Sequence, residues 1–176
     1  MKTTSAKAFT VAELLVSLAI AAILMAAVAT AVHGSLMNQT ENAKIADASQ
    51  AARFVLHRIM GDIRTAAAID PYAGATMIKI VPPADGSGTQ ELKYQYNPSS
   101  ESLNLSITVS GDTTTQTLFG GQDDVKVRSF HAIYELGQDW QGLQCTKSVT
   151  IRMEFEVRNQ TFALTTSASP RRNLLY

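Results

Sequence analysis

The residues able to do chemistry are few and scattered. Cys145 is the only cysteine, and with His131 and either Glu135 or Asp139 it could supply a nucleophile, a base and an orienting carboxylate. A lone thiol needs an activating environment to become a thiolate, and the flanking sequence offers none. His33, His57 and His131 show none of the short spacings at which imidazoles converge on a metal. Gly120-Gly121-Gln122-Asp123-Asp124 places two carboxylates side by side in a flexible loop, and hard cations such as calcium take oxygen ligands. The loop lacks an EF-hand pattern, so Asp123 and Asp124 form a weak calcium candidate beside the reading of a solvated turn. No other cofactor and no enzymatic activity are expected.

The more informative residue is Glu13. It sits in the first turns of a hydrophobic run of about 24 residues, Phe9 to Val32, and no further carboxylate follows before Glu41. As a helix the run would extend roughly 36 Å, enough to cross a hydrocarbon core of about 30 Å. It is longer than the apolar region of a cleavable secretory signal, roughly 7–15 residues. Lys2 and Lys7 precede the run, and His33, Gly34, Ser35 and Leu36 follow it. The positive flank is therefore N-terminal, which places the N-terminus in the cytoplasm and the bulk of the chain outside it. An ionised side chain at the centre of a membrane helix costs roughly 2.5–3.5 kcal/mol on insertion scales, so Glu13 calls for a partner. Snorkelling to the headgroups in an ordinary single-pass anchor is the plainer account.

The stretch Ala8-Phe9-Thr10-Val11-Ala12-Glu13-Leu14-Leu15-Val16 resembles the N-terminal cleavage and methylation signature of type IV prepilins and type II secretion pseudopilins. The likeness joins a short basic leader, a phenylalanine at the cut, a glutamate as fifth residue of the mature chain, and a long apolar helix. It implies a leader over residues 1–8, cleavage between Ala8 and Phe9 by a prepilin peptidase that then N-methylates Phe9, and an assembly helix over 9–34. It further implies that Glu13 meets the Phe9 amine of a neighbouring subunit during assembly. The implied partners are other pilins or pseudopilins, the peptidase and N-methyltransferase, an inner-membrane assembly platform and membrane lipid. Ala8 stands where the family usually carries glycine, a small-for-small exchange that leaves the rate of processing open. Gly34 is the nearest helix breaker, since no proline precedes Pro71.

These residues need elements to position them. At 176 residues, with 15 basic and 15 acidic side chains, the chain fits one modest exported domain over 35–176, and its zero formal charge favours no nucleic acid. Two arginines in the tail Pro170-Arg171-Arg172-Asn173-Leu174-Leu175-Tyr176 are too few for an electrostatic footprint. One cysteine excludes an intramolecular disulfide. From Ser35 to Ile69 the composition becomes amphipathic, with Ile45, Ala48, Ala52, Val55, Ile59, Ile63, Ala66 and Ile69 recurring at helical spacing. Arg53, His57 and Arg64 fall on another face, and Arg58 can pair with Asp62 at i,i+4. Asp70-Pro71-Tyr72-Ala73-Gly74 ends the helix.

Beyond Pro71, alternation and turn residues predict strands over 77–81, 92–96, 102–109, 115–119, 125–134, 148–157 and 161–167. The plainest hairpin has Val149, Ile151, Met153, Phe155 and Val157 facing inward, then Arg158-Asn159-Gln160, then the returning strand. Its apolar face can cover Val55, Ile59 and Ile63. Trp140, the only tryptophan, is either a lid over the core, the preferred reading, or an exposed anchor for a neighbouring subunit.

The expected fold is α+β: a long N-terminal helix, transmembrane in its first half and amphipathic in its second, packed on an antiparallel sheet, an arrangement that pilins share. The expected function is a minor pilin or minor pseudopilin, loosely of the J or W type, a structural subunit of a type II secretion pseudopilus or type IV pilus. The alternatives are an uncleaved single-pass anchored binding or sensor module and an exported hydrolase built on Cys145.

Overall fold

The computed structural model describes residues 10–84, 86–122, 124–138, 142 and 144–171. The chain divides into two compact units, residues 1–44 and 45–176. Helix α1, Val11–Thr65, begins in the first and ends in the second. Alanine, leucine and methionine fill it, no proline interrupts it, and it runs through Gly34 without a break.

In the first unit every described helical residue is exposed, including Leu14, Leu15, Ile20, Ile23 and Leu24. Residues 14–40 carry no acidic or basic charge. The helix is long and apolar enough to cross a membrane. Three of its hydroxyls are turned back onto its own carbonyls: Ser17 to Leu14 at 2.9 Å, Thr30 to Ala27 at 2.8 Å and Thr40 to Met37 at 2.7 Å. Bonded in this way, these three present no unsatisfied donor to a lipid phase.

In the second unit the helix buries Ala48, Ala52, Val55, Leu56, Ile59, Met60 and Ile63, one stripe at intervals of three and four. Against it lie two antiparallel sheets, where the sequence suggested one. The first is a meander of five strands: β1 (Ala68–Asp70), β2 (Met77–Val81), β3 (Thr89–Asn97), β4 (Ser102–Val109) and β5 (Asp112–Gly120). The second has three: β6 (Val125–Gln138), β7 (Gln144–Val157) and β8 (Gln160–Ala168). Ile78, Ile80, Tyr94, Leu103 and Leu105 of the first sheet join Phe130, Ile151, Met153 and Phe155 of the second, and the helix stripe, in one core. Phe119 of β5 meets Phe155 of β7 edge-on, centroids 5.3 Å apart, so the rings tie the sheets together.

The split falls at Gly120. The Glu101 carbonyl accepts the N–H of Gly121 at 3.2 Å and that of Val127, on β6, at 2.7 Å. Gly120 has φ +78°, and an added Cβ would lie 2.6 Å from that carbonyl oxygen, so only glycine lets the chain leave one sheet for the other.

The helix ends earlier than its periodicity suggests. Ala66 and Ile69 are buried, yet neither belongs to α1: the Ala67 N–H bonds to the Val81 carbonyl at 2.9 Å, and Ile69 lies on β1 opposite Ile80. Sheet pairing overrides the helix propensity of three successive alanines. The Arg171 N–H caps the Arg64 carbonyl at 3.1 Å, satisfying one of the groups a helix C-terminus leaves open.

Candidate functional site: the Glu13 turn

Thr10 and Glu13 close the first turn of α1 reciprocally. The Thr10 N–H donates to Glu13 Oε2 at 2.9 Å, the Thr10 hydroxyl to the same oxygen at 3.1 Å, and the Glu13 N–H to Thr10 Oγ1 at 3.2 Å. This is a capping box, Thr-x-x-Glu, in which two of the helix's orphan donors find side-chain acceptors. The signal stands in the sequence as Thr10-Val11-Ala12-Glu13, a partner for Glu13 within its own helix. Glu13 Oε2 takes both Thr10 bonds, while Oε1 makes none among the described residues. The carboxylate is exposed and keeps one oxygen available for a further cation or donor. Ala8 and Phe9 lie outside the described residues.

The other candidates are kept apart. Cys145 is buried and pairs with Gly137, whereas His131 is exposed and pairs with Arg152. Six residues along β6 separate the two pairings, roughly 20 Å at strand rise. Glu135 orients no imidazole: Ser148 donates to it at 2.8 Å and Lys147 at 3.3 Å, and these bonds hold its carboxyl below the usual carboxylate range. Asp139 and Trp140 lie outside the described residues, as does Asp123. Asp124 stands 3.8 Å from Arg158 Nε. No group of three or more potential metal ligands occurs among the described residues.

His33 and His57 are both exposed. Asp62 accepts the buried Tyr94 hydroxyl, so its carboxylate fastens the helix to β3 rather than serving only a pair on the helix surface. At the junction of the sheets Glu101 binds Lys126 at 3.1 Å and also Arg128, which in turn reaches Glu156 at 2.7 Å. The Arg128 bond holds the Glu156 carboxyl low. These contacts brace the corner built on the Glu101 carbonyl.

Comparison of the chain with protein-family models, with curated proteins and with solved structures returns no match. Fold and site together define a class: an α+β protein whose single N-terminal helix is long and apolar enough to cross a membrane, consistent with single-pass anchoring.

Proposed function

We propose that this chain is a minor pilin or minor pseudopilin, a subunit lifted from the inner membrane into a short filament through its N-terminal helix. The observation that carries the reading is the position of Glu13: one exposed carboxylate, with an uncommitted oxygen, at the start of a helical stretch whose residues 14–40 carry no acidic or basic charge. Cleavage between Ala8 and Phe9 would create an ammonium at Phe9, four residues before Glu13 and about 6 Å from it along the axis. The cut retains Thr10, so the capping box survives in the product. In the filament, Glu13 Oε1 receives the methylated Phe9 amine of a neighbour while Oε2 continues to cap its own helix. Removing one partner of a buried charge pair commonly costs about 3–5 kcal/mol, which makes the contact a register lock between subunits. The apolar helices exchange lipid for one another without gaining or losing hydrophobic surface, so polar pairing supplies the selectivity.

The domain over 45–176 contributes contacts rather than turnover in this reading. The helix over 53–64, the Arg158-Asn159 hairpin and the Pro170-Arg171-Arg172 tail loosely suggest the J or W type of minor subunit. The experiment is co-purification: Glu13→Gln is expected to insert in the membrane and to drop out of the filament, and normal co-assembly would overturn the assignment.

A second reading has its own support. The capping box gives Glu13 a role inside its own helix, which an uncleaved single-pass binding or sensor module would need equally. In that case the chain keeps its leader and co-purifies with no pilin.

A further inference from the structure

We infer that the outer face of the five-stranded sheet binds an acidic polysaccharide, with Lys93 receiving a carboxylate of the polymer. Strand alternation turns Tyr94, Leu103 and Leu105 into the core and leaves polar side chains on the far side. Glu91 and Lys93 of β3, Asn104 and Ser106 of β4, and Thr113 and Thr115 of β5 line a groove of about 570 Å³ there. That size falls among small-molecule clefts, roughly 300–1,000 Å³.

The charges in the groove are unbalanced at one point. Register sets Lys79 directly opposite Lys93, a like-charge placement that disfavours the sheet. Lys79 is answered by Glu91 at 3.0 Å. Lys93 is half-buried and has no hydrogen bond or ion pair among the described residues, whereas Lys44, Lys79, Lys126 and Lys147 each have a partner. An anion on Lys93 would relieve the repulsion and pair the ammonium.

Around Lys93 the floor is built for hydroxyls. Lys93, Ser106 and Thr115 are aligned across three strands, a row of roughly 10 Å at the usual strand spacing, about two sugar rings long. Ser106 and Thr115 share a hydrogen bond of 2.8 Å, and Thr108 and Thr113 one of 3.0 Å, in which either oxygen can donate. Such pairs can turn toward a ligand that both donates and accepts. Asn104 Oδ1 takes the Ser102 hydroxyl at 3.2 Å, and its amide nitrogen points to no partner among the described residues. A carboxylate-bearing polyol fits this lining of hydroxyls and amides. A nucleic acid fits less well, because its affinity rests on several cationic contacts to phosphate and the groove supplies one unpaired ammonium. The ring at the margin, Tyr96, packs on the core and gives its hydroxyl to the Arg128 carbonyl at 3.2 Å, so it offers no free platform for bases.

The inference is independent of filament assembly and is tested on the full chain in detergent, by affinity electrophoresis in gels containing polygalacturonate, neutral dextran or single-stranded DNA. Polygalacturonate is expected to retard the protein and dextran to do so less. Lys93→Gln should weaken retardation by polygalacturonate about tenfold or more, the scale of one charge-assisted bond. Thr115→Val should weaken it several-fold, and Lys147→Gln, on the other sheet, should leave it unchanged. Both groove substitutions lie on the solvent side, and unchanged circular dichroism verifies the fold. Absence of retardation, a Lys93→Gln variant that binds like the parent, or equal retardation by DNA would each overturn the inference.

Discussion

At Glu13, glutamine keeps the acceptor that caps the helix and removes the charge, so Glu13→Gln separates two roles that Glu13→Ala would remove together. Unchanged helix content with loss of co-assembly is the expected result. Normal assembly would reduce Glu13 to a cap. Tyr94 offers a second test at this scale. Burial first, and the bond to Asp62 second, push its ionisation above the ordinary tyrosine range. A raised folded value means the native state keeps the proton after the unfolded chain has lost it. The stabilisation is therefore complete below about pH 10, the ordinary tyrosine value, and declines as pH rises beyond it. Tyr94→Phe should lower stability near neutrality by about 1–3 kcal/mol, since Asp62 loses its donor. Its alkaline decline, followed by thermal unfolding, should be shallower than the parent's, though not absent, because burial also raises Tyr134. Identical slopes would remove Tyr94 from the account.

Among the elements, most strands were legible because their apolar residues alternate, and the spans over 77–81 and 102–109 coincide with β2 and β4. The rest were hidden for physical reasons. Strand β1 reads as helix because Ala66, Ala67 and Ala68 are strong helix formers, and only pairing with β2 reveals it. The turn after Val157 holds two residues, not three. Arg158 at φ 46° and Asn159 at φ 67° turn the chain so that Val157 faces Gln160, a left-handed geometry usually signalled by glycine. The division into two sheets depends on the φ of Gly120 and on bonds to the Glu101 carbonyl, neither of which leaves a periodic trace. Gly120→Ala should accordingly cost about 2–4 kcal/mol in chemical denaturation from strain and overlap. Gly61 is the contrast: it lies inside α1 with nothing within 4 Å of an added Cβ. Gly61→Ala should stabilise the domain by about 1 kcal/mol, and a loss of stability would indicate a packing role for the glycine.

For the whole molecule, the helix within residues 1–44 and the sheet-bearing unit over 45–176 carry separable properties. The first supplies an exposed apolar span with Glu13 at its start, and the second a buried apolar core. The capping box is legible as Thr-x-x-Glu, while the spare oxygen of Glu13 shows only in the folded helix. Membership of a filament pathway turns on the fate of the bond between Ala8 and Phe9. Intact mass and N-terminal sequencing of the protein purified from its native membrane test this directly. A chain beginning at N-methylated Phe9 is the predicted result and places the protein in the filament pathway. A chain still beginning at Met1, in cells with an active prepilin peptidase, would contradict the account and leave a static anchored module in its place.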